Sequence, residues 1–310
     1  MLAAGLGTRL RPLTLARAKP ALPVAGPSLI ERIVGWLAGH GITDLIVNLH
    51  YRPETITARL GDGTELGTRV RYSWEQPVLG SAGGPRRAFS LAPDERLWLV
   101  NGDTLADVPL GAMAEAHRSS DALVTMAVIP NPDPSRYGGV VFDDGGAVTG
   151  FSRRGATGPS WHFVGVQIAE RAAFQRLSDG MPAESVGALY PSLIAERPAS
   201  VRAFRCEVAF RDIGTPADYF DTSTHLVAEE GDRRRTGRGE KIDPTASIVR
   251  TAVWDDVTVG PGAELTECIV CDGAQIPAGA RFRRSAIVPA TGREPKAGQR
   301  IEGNLLIAGF

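Results

Sequence analysis

An apolar residue recurs at nearly every sixth position in the last quarter of the chain. The positions are Ile242, Ile248, Trp254, Val259, Leu265, Val270, Ile276, Phe282 and Val288, and the steps are six residues long except for two of five. Hexapeptide repeats of this kind build a parallel β-helix, in which each repeated apolar residue points inward from one flat face. We therefore predict that residues 242–310 form a β-helix domain of roughly two and a half coils.

The residues upstream of this repeat alternate between short apolar strands and amphipathic helices. The predicted strands include residues 1–4, 45–49, 70–74, 97–100 and 123–130, and the predicted helices include 29–40, 53–60 and 87–91. Such alternation indicates an α/β domain with a Rossmann-like, mostly parallel sheet and helices on both faces. We assign this domain to residues 1–228. Residues 229–241 carry almost no apolar side chain and are predicted to be a linker.

A glycine-rich, basic loop follows the first predicted strand. It contains Gly5, Gly7, Thr8, Arg9, Arg11 and, further on, Lys19. Glycines let the backbone approach a ligand closely and point several N–H groups at one anion, and the basic side chains suit a polyphosphate. The loop has neither the Gly-Lys-Ser/Thr ending of a Walker loop nor the third glycine of a dinucleotide fingerprint. From these residues alone, a surface turn with scattered basic side chains remains open.

The order of residues in this loop resembles the signature of the sugar-1-phosphate nucleotidylyltransferases, also called NDP-sugar pyrophosphorylases. The matching residues are Gly5-x-Gly7-Thr8-Arg9-x-x-Pro12-x-Thr14, followed by Lys19-Pro20. The resemblance implies that Leu2, Ala3, Ala4, Gly5, Gly7 and Thr8 bind the nucleotide. It also implies that Arg9 and Lys19 are the catalytic cations that grip the triphosphate and the leaving pyrophosphate. Family members carry several residues before this signature, so we expect three or four apolar residues added upstream to raise the melting temperature.

A second glycine-rich segment, residues 75–84, resembles the Leu-Gly-Thr-Ala-Gly loop of the family, with Ser81 in place of the threonine. In the family this loop closes over the base. The resemblance therefore implies that Gln76, Gly80 and Gly83 lie near the nucleotide. Without the resemblance, the segment is equally well interpreted as a connecting loop.

Two aspartates follow predicted strands in motifs that the family shares. Asp103 lies in Asn101-Gly102-Asp103, and Asp212 lies in a segment that resembles the family's aromatic-x-Asp-x-Gly-Thr-Pro. Ligands of α/β sheets bind beyond the carboxyl ends of the strands, where the first loop and Asp103 are both expected. The resemblance implies that Asp103 and Asp212 together bind Mg²⁺. Standing alone, Asp212 would more often be a helix-capping or loop carboxylate.

The segment expected to bind the sugar phosphate departs from the family pattern. A Pro-Ser-x-Tyr-Gly motif ending at Gly138 is present, and in the family its glycine packs against the sugar. Where the family has Phe-x-Glu-Lys-Pro, this chain has arginines at 153 and 154. Arg154 can replace the lysine as a phosphate ligand. His162 is either a sugar ligand or a hydrogen-bonded structural histidine. The identity of the sugar therefore does not carry over from the family.

The resemblance implies an enzyme that transfers a nucleotidyl group from a nucleoside triphosphate to a sugar 1-phosphate. The C-terminal repeat resembles the left-handed parallel β-helix that many sugar nucleotidylyltransferases carry. The run of motifs is most similar to that of the mannose-1-phosphate guanylyltransferases, which implies GTP and mannose 1-phosphate. Glucose, heptose or amino-sugar phosphates with UTP, dTTP or ATP remain open, as does a non-catalytic regulatory subunit of such an enzyme. An acyltransferase activity of the β-helix is the weaker alternative, because no histidine follows His225.

Composition and charge limit the cellular context. A net charge of −1 gives no general reason to expect nucleic-acid or membrane partners. Three cysteines are too few for a disulfide framework, and the Cys268-x-x-Cys271 pair has no second pair for a zinc site. No signal-peptide pattern is present, so we expect a cytoplasmic protein with reduced thiols. A short β-helix leaves a flat face, and we expect it to pack on the catalytic domain or to form a homo-oligomer.

Overall fold

The computed structural model describes residues 1–230 and 237–310, which form two compact units. The first unit comprises Met1–Gly5, Ile33–Pro53 and Leu60–Arg211, and the second comprises Leu6–Arg32, Glu54–Arg59 and Asp212–Phe310. The glycine-rich, basic loop therefore belongs to the same unit as the C-terminal residues. The domain boundaries at residues 228 and 242 stay a prediction, and residues 231–236 of the predicted linker lie outside the described part of the chain.

The predicted helices at residues 29–40 and 53–60 agree closely with the structure. The described helices are α1 (Leu29–Gly39), α2 (Pro53–Leu60), α3 (Gly80–Leu91), α4 (Leu110–Arg118), α5 (Arg171–Phe174), α6 (Tyr190–Glu196) and α7 (Pro216–Glu230). A capping box begins α1: Ser28 N donates to Glu31 Oε2 at 2.6 Å, and Glu31 N donates to Ser28 Oγ at 3.3 Å. No helix in the described part of the chain, residues 1–230 and 237–310, is long and apolar enough to cross a membrane.

The first unit contains a mixed sheet. The strands that precede the C-terminal repeat are β1 (Asp44–Leu49), β2 (Arg69–Trp74), β3 (Arg96–Val100), β4 (Thr104–Ala106), β5 (Val124–Pro130), β6 (Gly139–Phe142), β7 (Val148–Ser152), β8 (Trp161–Glu170), β9 (Val201–Arg205) and β10 (Phe210–Asp212). β1 pairs in parallel with β2, and Leu2 forms a parallel bridge to Asn101. β8 runs antiparallel to β3 and to β5. The α/β class is confirmed. The sheet was predicted to be mostly parallel, but in the structure it is mixed, because β8 lies between β3 and β5 and runs antiparallel to both.

Helix α3 begins earlier than the sequence indicated. The glycine-rich segment was predicted as a loop up to residue 84, but the chain is already helical from Gly80. Two glycines have low intrinsic helix propensity. Packing overrides that preference here, because a Cβ on Gly83 would lie 2.5 Å from the carbonyl oxygen of Met181 and one on Gly84 would lie 2.6 Å from Glu75 Oε1. Glycine is therefore required at both positions, because a side chain would not fit these close approaches.

The second unit contains a parallel β-helix, as predicted. Its strands are β11 (Lys241–Ile242), β12 (Ser247–Val249), β13 (Ala252–Val253), β14 (Thr258–Val259), β15 (Glu264–Thr266), β16 (Ile269–Val270), β17 (Gln275–Ile276), β18 (Arg281–Arg283), β19 (Ser285–Pro289), β20 (Gln299–Glu302) and β21 (Leu305–Gly309). The parallel register pairs Ile248 with Leu265 and Leu265 with Phe282, so one coil takes 17 residues. After the last coil, β19, β21 and β20 pair antiparallel and cover one edge.

At two of the nine repeat positions, the residue that was predicted to point into the core is off by one. Val253 and Ile287, rather than Trp254 and Val288, belong to the core of the β-helix. The register explains the difference, because both residues align with Val270 on adjacent coils. Trp254 is nonetheless buried: its Nε1 donates to the Tyr219 hydroxyl at 2.9 Å. Ile242, at the start of the repeat, is 36% exposed.

The three cysteines are unpaired and buried. Burial raises the pKa of the Cys206 thiol to about 11 and raises the pKa of Cys271 well above its usual value. Because the thiolate is the reactive form, we expect no cysteine of the native protein to react with an aromatic disulfide reagent at pH 8, and all three to react after unfolding. The measurement is the absorbance of the released thiol, and fast labelling of the native protein would contradict the buried placement.

Candidate active site

The first unit holds the start of the signature between two strands. Leu2 N donates to Val100 O at 2.8 Å, and Gly102 N donates to Leu2 O at 2.9 Å. Asp103 directly follows Gly102, so it lies next to this backbone hydrogen bond with Leu2. The sequence predicted that this segment and Asp103 lie at the same edge of the sheet, and the structure brings them together there.

A buried polar pair, Asn48 and Glu75, connects the two segments that were predicted to bind the nucleotide. Asn48 Oδ1 accepts hydrogen bonds from the amides of Ala3 and Ala4. Its Nδ2 donates to Glu75 Oε1 at 2.6 Å, and Glu75 Oε2 accepts from Leu79 N at 2.8 Å. Asn48 and Glu75 are 5% and 3% exposed. A carboxylate that accepts two N–H bonds is satisfied although it is buried, so this pair sets the spacing of the two segments.

Sequence analysis missed Asn48 and Glu75. The available signal was Asn48 itself, which interrupts the apolar run of β1, together with a glutamate directly after β2. A polar residue in a buried strand needs a hydrogen-bond partner, and that partner often belongs to a functional site.

The other residues predicted to contact the base have different environments. Gln76 is exposed, whereas Gly83 is buried inside α3 against Met181. Gly80 has φ +76°, and a Cβ there would lie 2.7 Å from Ala183 O. The packing of the first unit therefore already requires glycine at both positions, whether or not a ligand binds there. Their contact with a nucleotide stays a prediction.

The residues predicted to bind the sugar phosphate lie around β6 and β8. His162 belongs to β8, and its ring lies 4.4 Å from that of Tyr137 and 4.6 Å from that of Phe210. Gly138 directly precedes β6, and a Cβ on it would lie 3.0 Å from Ser152 O. Arg154 is exposed in the turn that follows β7.

In the second unit, the basic loop folds back on itself at Gly7. Gly7 has φ +59°, and a Cβ there would lie 2.8 Å from the Thr14 methyl group and 3.3 Å from Lys19 Cβ. Thr14 Oγ1 donates to Gly7 O at 2.9 Å. Only glycine permits this turn without strain, and the turn brings Lys19 next to the start of the loop.

Lys19 lies against a carboxylate that the sequence also singled out. Its Nζ is 3.7 Å from Asp212 Oδ1, and the two side chains are 9% and 11% exposed. A Cβ on Gly214 would lie 3.0 Å from Arg9 Nη1 and 3.2 Å from Asp212 Oδ2. The structure therefore brings Arg9, Lys19 and Asp212 together, although about 200 residues separate the first two from the third. Thr8 is exposed in the same turn.

The residues that follow Asp212 form the N-terminus of α7. Asp218 Oδ2 accepts hydrogen bonds from Gly214 N at 3.2 Å and from Thr215 N at 2.8 Å. Asp218, rather than Asp212, is thus the capping carboxylate. The Asp212 carboxylate lies next to the Lys19 ammonium.

The described residues contain no group of three or more His, Cys, Asp or Glu side chains that could hold a metal ion. Mg²⁺ often takes only one or two protein carboxylates and completes its shell with water and substrate phosphates. Asp103 and Asp212 supply hard oxygen ligands of this type. Asp103 belongs to the first unit and Asp212 to the second, and their pairing as magnesium ligands stays a prediction.

The combination of an α/β fold, a glycine-rich basic loop and a lysine–aspartate pair is typical of enzymes that act on nucleotides. A family model described as Nucleotidyl transferase matches residues 1–229, so the chain belongs to this family. The family membership that the sequence implied is confirmed.

Characterised relatives cover most of the chain. Mannose-1-phosphate guanylyltransferase of Mycobacterium tuberculosis is 30% identical over 295 residues, which are 92% of this chain and 82% of that protein. D-glycero-alpha-D-manno-heptose 1-phosphate guanylyltransferase of Aneurinibacillus thermoaerophilus is 32% identical over 221 residues, which are 71% of this chain and 94% of that protein. The crystal structure of HddC from Yersinia pseudotuberculosis, 23% identical, superimposes with a TM-score of 0.64 over 73% of this chain and 97% of that one. The last similarity confirms the fold.

Proposed function

We propose that the protein transfers a nucleotidyl group from a nucleoside triphosphate to a sugar 1-phosphate, releasing pyrophosphate and forming an NDP-sugar. The observation that carries this proposal is the assembly of Arg9, Lys19 and Asp212 around the turn at Gly7. The family match and the activities of the named relatives support the reaction class. The relatives that use GTP and mannose 1-phosphate make this the first substrate pair to test.

Because the reaction joins two anions, the protein must screen their charges and hold the attacking and leaving groups in line. The attacking phosphate oxygen is already ionised and needs no general base. Lys19 and Arg9 would stabilise the charge that develops on the leaving pyrophosphate, since preorganised charge supplies most of such catalysis. Mg²⁺ bound by Asp103 and Asp212 would neutralise part of the phosphate charge. The presence of all these residues favours an active enzyme over a non-catalytic subunit.

On the sugar side, we propose that Arg154 docks the incoming phosphate and that His162 and Gly138 border the sugar. Arg154 is exposed and can form a bidentate contact with phosphate. His162 packs against two aromatic rings, which restricts its orientation. Arg154→Ala is expected to raise the KM for the sugar 1-phosphate while the KM for the nucleotide stays unchanged. Steady-state kinetics with each substrate varied in turn measures this separation, and an equal rise in both constants would contradict it.

The direct test is pyrophosphate release over a grid of nucleotides and sugar 1-phosphates with Mg²⁺. We expect the largest kcat/KM for GTP with mannose 1-phosphate, and loss of turnover when a chelator removes the metal. A larger value for another pair would correct the substrate assignment. Failure of every pair to release pyrophosphate would refute the proposed reaction.

A further inference from the structure

Two aspartates of the β-helix lie one above the other on consecutive coils. Asp255 and Asp272 are 17 residues apart, which is the length of one coil, and each follows a strand of the same face. The amide of Asp255 donates to Asp272 Oδ1 at 3.1 Å. Neighbouring carboxylates repel one another, so this arrangement requires a cation between or beside them.

That cation is Arg17, which comes from the basic loop. Its Nε and Nη2 donate to the two carboxylate oxygens of Asp272, each at 2.6 Å, and Nη2 also lies 2.6 Å from Asp255 Oδ2. Arg17 is only 5% exposed, and its guanidinium carbon lies 5.5 Å from the ring centroid of Trp254. A bidentate contact of this kind determines both the position and the orientation of the guanidinium.

A second cation completes the charge balance of this cluster. Arg59 Nη2 lies 2.7 Å from Asp255 Oδ2, so two arginines face two aspartates. Burial by itself would raise the pKa of Asp255, but the hydrogen bond from the Arg238 amide and the charge of Arg17 outweigh burial and hold this pKa below its usual value. The Asp255 carboxylate is therefore ionised at neutral pH and available to hold the loop.

The basic loop is held both before and after Lys19 by residues that lie C-terminal to Asp212 in the sequence. Arg17 precedes Lys19 by two residues and is held by the aspartates. Four residues after Lys19, Pro23 O accepts a hydrogen bond from the Tyr219 hydroxyl at 2.5 Å, and that hydroxyl accepts from Trp254 Nε1. Lys19 thus lies on a short segment that is anchored at both ends.

We infer that Asp255 and Asp272 are positioning residues for Lys19, and that the β-helix is part of the catalytic apparatus rather than an appendage. The inference rests on the proposed function, in which Lys19 grips the leaving pyrophosphate. Since a displacement of about 1 Å can cost about a hundredfold in rate, the contact through Arg17 has a kinetic consequence even though neither aspartate touches substrate.

The test compares Asp272→Asn with Glu264→Gln in the full-length protein. Glu264 is a matched control because it is also a β-helix carboxylate paired with an arginine, Arg281, at 3.1 Å. In the reverse reaction we expect Asp272→Asn to raise the KM for pyrophosphate about tenfold and to leave the KM for the NDP-sugar within about twofold. Glu264→Gln is expected to change neither. Global destabilisation would lower the active fraction without this selective change in KM.

A double-mutant cycle decides whether the effect passes through Lys19. In a Lys19→Ala background, Asp272→Asn is expected to cause no further rise in the KM for pyrophosphate. Additive effects, or equal changes in both KM values, would overturn the inference. If Asp272→Asn does not fold, Asp255→Asn replaces it in the same cycle with the same criteria.

Amide hydrogen exchange tests the positioning of Lys19 independently of the reaction that the protein catalyses. Ala21 N donates to Ala18 O at 2.9 Å, and Leu22 N donates to Lys19 O at 3.2 Å, so these amides report on the segment around Lys19. We expect them to exchange faster in Asp272→Asn than in Glu264→Gln. If the wild type turns over no substrate pair, the proposed function fails, whereas faster exchange would still support the positioning of this segment. Unchanged exchange would overturn it.

Discussion

Replacement of Lys19 by alanine is expected to lower kcat/KM of nucleotidyl transfer at least about a hundredfold, which corresponds to roughly 2.7 kcal/mol of transition-state stabilisation. The Lys19 ammonium lies 3.7 Å from Asp212 in a site that is mostly closed to water. Charge in such an environment is screened less than at the surface, so its removal leaves the developing pyrophosphate charge uncompensated. We expect the same minimum loss for Asp103→Ala.

The measurement is initial-rate pyrophosphate release with the best pair from the substrate grid. Lys296→Ala is the matched control, because Lys296 is exposed in the C-terminal turn and is expected to leave kcat/KM unchanged. Thermal melting of each variant separates a catalytic loss from unfolding. Near-normal turnover of Lys19→Ala in a folded protein would refute the assignment of this lysine.

Replacement of Glu75 by glutamine is expected to destabilise the protein by about 2–4 kcal/mol. Both carboxylate oxygens of Glu75 accept N–H donors, from Asn48 and from Leu79. The amide group of glutamine offers only one acceptor, so one buried donor would face another donor. Because the same contacts hold Ala3 and Ala4 through Asn48, the KM for the nucleotide should rise as well.

Chemical denaturation measures the free-energy change, and nucleotide-dependent kinetics at a permissive temperature measures the KM. Glu65→Gln is the control, because Glu65 is an exposed carboxylate in the short 3-10 helix Thr64–Leu66. A Glu75→Gln protein with unchanged stability and unchanged nucleotide KM would show that the pair does not hold the two segments together.

The elements with strong periodicity were predictable from the sequence. The predicted helices at residues 29–40 and 53–60 depend on neighbouring residues, and the structure confirms both. The hexapeptide repeat likewise predicted the β-helix, because every coil uses the same inward-facing positions. Trp254 and Val288 were misassigned, since a shift of one residue at a corner preserves the apolar pattern but reverses which side chain points inward.

The helical start of α3 and the roles of Asn48 and Glu75 were not predictable in this way. Gly83 and Gly84 have low intrinsic helix propensity, yet both lie within α3. Asn48 lies in β1 and Glu75 directly follows β2, and nothing local indicates that one amide and one carboxylate satisfy each other.

The sequence by itself determined the chemistry of this protein: the residue types and spacing of the signature loop, the two aspartate motifs and the coiled repeat depend on short stretches that can be interpreted without a fold. Only the tertiary structure decided which of these groups meet. Lys19 contacts Asp212 and Arg17 contacts Asp255 and Asp272 across about 200 residues or more of chain. Such contacts result from the packing of separate elements, and packing is a property of the whole fold rather than of any local pattern.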